Sequence, residues 1–79
     1  MAWYILAMDT KSPIFYGPYP SEDQATQKKL QISSQANIRD TELFDLPTNN
    51  RARAARMVKA QMADGLTRFR YDKTPETSL

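Results

Sequence analysis

The chain contains neither cysteine nor histidine. Without cysteine there are no disulfides and no thiolate metal sites, so the fold must hold together without staples, as is usual in a reducing compartment. Without histidine, the commonest general base at neutral pH and the commonest metal ligand are missing. Glycine occurs only at Gly17 and Gly65, too sparsely for a glycine-rich loop that cradles phosphate. Long apolar runs are missing as well. Residues 2–8 are apolar, but no basic residue precedes them, whereas a membrane span needs about 20 apolar residues and a secretory signal a charged start. A cytoplasmic protein with no membrane partner is expected. No serine has a histidine to activate it, and Asp9, Asp40, Glu42 and Asp45 show no spacing that demands pairing. The expectation is a non-enzymatic protein with no catalytic residue, no metal site and no cofactor.

With 79 residues, 41% of them hydrophobic, the chain has the size and composition of one ordinary globular domain. A chain this short buries about 60% of the surface its unfolded form exposes, and its total stability scales to about 4–12 kcal/mol. Residues 1–72 are expected to form that domain. Residues 73–79 are polar, include Pro75 and are read as a disordered tail. The tail ends Thr77-Ser78-Leu79, a short degenerate resemblance to the carboxyl-terminal peptides captured by strand addition, and is set aside as chance.

Hydrophobic periodicity organises the rest. Residues 2–9 read as a strand apolar on both faces, with Trp3, Ile5 and Ala7 on one and Tyr4, Leu6 and Met8 on the other. Such a strand is central and covered on both sides, or one face serves binding. Turn chemistry from Asp9 to Pro13 leads to a short returning strand at Ile14, Phe15 and Tyr16, broken by Gly17-Pro18-Tyr19-Pro20. Ser21 with Gln24 three residues later is a capping-box pattern, and Glu22 and Asp23 suit the helix dipole. This first helix is expected to end near Gln31 or Ser33, with Ala25, Ile32 and Ala36 on its inner face and Leu30 off it. Residues 33–40 read as loop. A third strand follows over residues 41–46, with Phe44 and Leu46 inward and Pro47 as its stop. Residues 66–71 alternate as a fourth strand, with Phe69 and Tyr71 facing the core and Arg68 and Arg70 on the open side.

Two units of strand, proline, hydroxyl residue and helix recur: Phe15, Pro20, Ser21 and Ala25 match Phe44, Pro47, Thr48 and Ala52. The fold expected is α+β in the order ββαβαβ, a two-layer sandwich of about four strands with both helices on one face. That architecture is shared by many functions and implies none.

Charge picks out one segment. Residues 1–40 balance Lys11, Lys28, Lys29 and Arg39 against Asp9, Glu22, Asp23 and Asp40. Residues 46–71 carry Arg51, Arg53, Arg56, Lys59, Arg68 and Arg70 against Asp64 alone. Residues 48–65 read as a second helix with Thr48 as N-cap and Gly65 near its C-terminus. Ala54, Ala55, Val58 and Met62 form its inner stripe, and Arg53, Arg56 and Lys59 lie opposite. A charged outer face is ordinarily just solvated. Here, however, no acidic residue stands four positions away to pair with it, and Arg51 and Arg53 lie where the dipole disfavours positive charge. The N-terminal turn, with Thr48, Asn49 and Asn50, suits a phosphate or carboxylate.

Trp3, Tyr4, Tyr16 and Tyr19 form an aromatic group on the hairpin, and Tyr19, between two prolines, is its most exposed member. The expected function is a protein-protein interaction or regulatory module that docks on a larger partner with an acidic surface. Arg51, Arg53, Arg56, Lys59, Arg68 and Arg70 would supply charge and Tyr19 apolar contact. The alternative is a nucleic-acid-binding module using the same helix with Arg68 and Arg70 on phosphates.

Overall fold

The structure, a computed structural model, describes residues 2–9, 12–61 and 70–71. Its elements run β1 (Ala2–Asp9), β2 (Ile14–Tyr19), α1 (Glu22–Ser33), β3 (Ile38–Leu46), α2 (Arg51–Gln61) and β4 (Arg70–Tyr71). The four strands form one mixed sheet in the order β3-β1-β2-β4, with β1 antiparallel to both neighbours and β4 parallel to β2. The α+β class and the chain order ββαβαβ are as the sequence implied.

The layering is different. The helices cover opposite faces of the sheet, making three layers instead of two. Tyr4, Leu6, Phe15 and Leu46 pack with Ala54, Ala55 and Val58 of α2. Ile5, Ala7, Tyr16 and Ile38 pack with Ile32 of α1. Because successive strand residues alternate in direction, these are the two sides of one sheet. One cause lies in β1, whose Tyr4, Ile5, Leu6 and Ala7 are all buried and need cover on both sides. The other is topological. The β2-α1-β3 crossover runs one way across β1, and β3-α2-β4 runs back across the whole sheet. Two crossovers of the same hand in opposite directions leave their helices on opposite faces, and the strong right-handed preference makes the same hand the expected one.

Two bulges adjust the register. Ile5 pairs with Tyr16 but Trp3 with Tyr19, so β2 spends three residues against two of β1. Tyr16 and Tyr19 therefore share the α1 face, and β2 continues to Tyr19 instead of stopping at Tyr16. Gly17 makes this geometry attainable. Its φ is +127°, and a Cβ there would lie 2.7 Å from Tyr4 Cδ2. The second bulge lies where Met8 pairs with Asp40 and Asp9 with Ile38. β3 thus begins at Ile38, three residues before the expected start, and the extra residue turns Ile38 into the α1-side core.

Helix α1 follows its local signals. Ser21 Oγ accepts from the Gln24 N–H at 3.2 Å, the helix ends at Ser33, Ala25 and Ile32 are buried, and Leu30 is 65% exposed. Ala36 lies beyond the helix and is exposed, contrary to expectation. The internal repeat holds with a shift of two residues. Ala25, four after its cap, corresponds to the equally buried Ala54, four after Asn50, while Ala52 is exposed. Met62, Gly65, Arg68, Phe69 and the tail 73–79 lie outside the described residues. Among the described residues no helix is long and apolar enough to cross a membrane.

Candidate interaction surface

The basic helix starts later than its sequence suggested. Asn50, not Thr48, is the N-cap of α2: its Oδ1 accepts from the Arg53 N–H at 3.0 Å, and its carbonyl accepts from the Ala54 N–H at 2.9 Å. Thr48 is occupied otherwise. Its hydroxyl accepts from the Asn50 N–H at 3.0 Å in a local turn, and its carbonyl accepts from the Tyr4 hydroxyl at 2.7 Å. Tyr4 is fully buried and stacks on Phe15, ring centroids 5.2 Å apart and nearly parallel. Burial pushes its phenol above the ordinary tyrosine value, opposed by the nearby Arg51 guanidinium. The start of α2 is therefore tied to β1, the central strand.

Moving the cap to Asn50 makes Arg51 the first and Arg53 the third residue of the helix. With no acidic residue in that turn, each arginine opposes the helix dipole by up to about 1 kcal/mol at low ionic strength.

The structure divides the expected basic site. Arg51 is half-buried and points back toward the sheet, its guanidinium carbon 5.0 Å from the centre of the Tyr71 ring. Tyr71 in turn meets Phe15 edge-on at 6.3 Å. Tyr71 is nonetheless 42% exposed, not core as expected, because it sits on the outermost strand with its own ring covering Phe15. Arg70 is also committed within the fold. It forms an ion pair with Asp9, and its Nε donates to Ser12 Oγ at 2.7 Å and an Nη to the Ser12 carbonyl at 3.0 Å. Asp9 additionally accepts from Asn37 Nδ2 at 3.2 Å. This cluster fastens β4, the β1–β2 turn and the start of β3 together. It went unread in the sequence because Asp9 and Arg70 are 61 positions apart and no local pattern links them.

Arg53 and Arg56 remain on the outer surface of α2, both exposed, with exposed Ala52 and Ala60 beside them and half-buried Lys59 on the flank. Among the described residues neither arginine has an ion pair. The inner stripe is as expected for Ala54, Ala55 and Val58, with Met57 half-buried beside them.

The aromatic group does not join this surface. Tyr4 and Tyr16 are core, and Trp3 and Tyr19 are half-buried and paired across the bulge on the α1 face. Tyr19 is a strand residue packed beside the α1-side core, not an exposed loop residue, because the bulge turns it inward. Thus Tyr19 and the α2 arginines lie on opposite sides of the sheet.

No protein-family model matches the chain, and neither does any curated protein or solved structure.

Proposed function

We propose that the chain is a small non-enzymatic interaction or regulatory module of the cytoplasm, docking on an acidic surface of a larger protein through the outer face of α2. Arg53 and Arg56 carry the contact, with Lys59 at its flank. The observation behind this is the division of labour among the cations. Arg51 and Arg70 have work inside the fold, whereas Arg53 and Arg56 are exposed on a face that folding does not use. Long-range attraction from such a patch steers encounter and orients a partner more than it sets affinity. Nucleic acid is the weaker alternative, since Arg70 is taken up by Asp9 and the array left for phosphates is smaller.

The double substitution Arg53→Glu with Arg56→Glu tests the proposal. Proteins retained by the tagged chain from its native source should be lost, with an unchanged circular-dichroism spectrum and no loss of stability, since a negative charge in the first turn of α2 suits the helix dipole. An unchanged set of retained proteins would count against the proposal. Oligonucleotide binding that weakens steeply with salt would favour the alternative instead.

A further inference from the structure

The opposite charge sits elsewhere on the molecule. β3 pairs with β1 along its length, and among the described residues its outer edge pairs with no strand. This edge is long and regular beyond its bulge, and it contains neither proline nor lysine, two of the usual devices that block edge pairing. Its charged residues Arg39, Asp40, Glu42 and Asp45 are all exposed, leaving the edge with net negative charge. From this edge we infer a second docking site, which accepts an extended basic segment of a partner protein as an added antiparallel strand.

Backbone direction supports the geometry. The Thr41 N–H donates to its neighbour's Asp40 Oδ1 at 2.9 Å, which marks that N–H as directed away from β1. In an antiparallel pair, direction alternates with period two, so the N–H and C=O groups of Leu43 and Asp45 also face outward. Leu43 and Asp45 thus offer an incoming strand a ladder that β1 does not consume. Next to the N-terminal half of the edge is a cavity of about 160 Å³ lined by Ser33, Ile38, Arg39, Asp40 and Thr41. The Ser33 and Thr41 hydroxyls are 3.1 Å apart beside it. It leaves room beside the backbone ladder for one side chain on the α1-facing side of the added strand.

Charge selects the occupant. A second copy is the poorer fit. In the register centred on Glu42, Arg39 would face Asp45 at both ends, but Glu42 would face Glu42 and two strands of net negative charge would be joined. A basic strand creates no like-charge pair with the acidic residues. The α2 arginines of another copy do not fit either, because a helix offers no free ladder of backbone groups. A strand with lysine or arginine at alternate positions sets its cations beside Asp40 and Glu42, which share one face of β3. The site is separate from the α2 surface and does not depend on the function proposed above.

The test uses the full chain and a capped peptide of about eight residues alternating arginine and valine. Binding is followed by fluorescence anisotropy and amide hydrogen exchange. The peptide should bind and slow exchange at Leu43 and Asp45. The double substitution Asp40→Lys with Glu42→Lys should weaken binding at least about tenfold, as should N-methylation of alternate peptide amides, which leaves the protein untouched. Equal binding of a glutamate-valine peptide, equal binding of the N-methylated peptide, or unchanged exchange at Leu43 and Asp45 would each overturn the inference. So would sedimentation showing that copies of the chain pair through this edge.

Discussion

The two helices solve the same packing problem by different means. Helix α1 has a serine cap, two acidic residues in its first turn and one large anchor, Ile32, set into the pocket of Ile5, Ala7, Tyr16 and Ile38. Helix α2 opens with arginines that oppose its dipole and buries only Ala54, Ala55 and Val58. Small residues allow close approach to the sheet but remove little apolar area, about 25 cal/mol for each Å². Tertiary ties at its start compensate: Asn50 caps it, Tyr4 holds the Thr48 carbonyl, and Arg51 covers Tyr71. One helix is thus specified largely by its own sequence and the other by what surrounds it. A helix that rests on its inner face and its first turn leaves the outer face open to another use.

The largest expected effect falls on α1. Ile32→Ala removes its one large buried side chain and should cost about 2–5 kcal/mol, a large share of the stability of so small a domain. Urea unfolding measures it, and a loss below about 1 kcal/mol would show that α1 does not hang on this anchor. Ala54→Leu tests the opposite logic. Ala54 is fully buried in the α2-side core, so adding three carbons there should destabilise by about 1–3 kcal/mol. A gain in stability would mean that the α2 face is underpacked and that small residues are not what seats it.

Tyr4→Phe is the smallest of the three and separates the tertiary tie from the packing. It deletes the hydroxyl that donates to Thr48, for a loss of about 1 kcal/mol at neutral pH. The pH dependence has a definite sign. Because the folded phenol is raised above its ordinary value, the fold favours the neutral form. That stabilisation is present in full below the unfolded tyrosine pKa of about 10 and is lost as pH rises through the folded value. Thermal melts of the parent chain should therefore fall in the alkaline range more steeply than those of Tyr4→Phe. Parallel slopes would show that Tyr4 is not held neutral by the fold.

The candidate surface was legible only in part. Arg53 and Arg56 could be assigned to an outer helical face because periodicity alone separates them from Ala54, Ala55 and Val58. Arg51 and Arg70 carried the same charge in the same segment. Nothing local indicated that one would lie over Tyr71 and the other pair with Asp9. Tyr19 was misplaced for a similar reason. A bulge depends on the partner strand as much as on its own residues, and Gly17-Pro18 reads as a turn until β1 pairs beside it.

Local sequence was sufficient for whatever depends on period, propensity or neighbours a few residues apart. That covers the six-element order, the Ser21 cap, the two-sided apolar character of β1, the inner stripe of α2 and the concentration of basic charge after residue 46. Tertiary structure decided the strand order, and with it the placing of α1 and α2 on opposite faces, because handed crossovers running in opposite directions cannot share a face. It also decided which cations serve the fold and which stay at the surface. That choice depends on residues brought together from opposite ends of the chain, such as Asp9 and Arg70, at a distance where sequence neighbourhood carries no information.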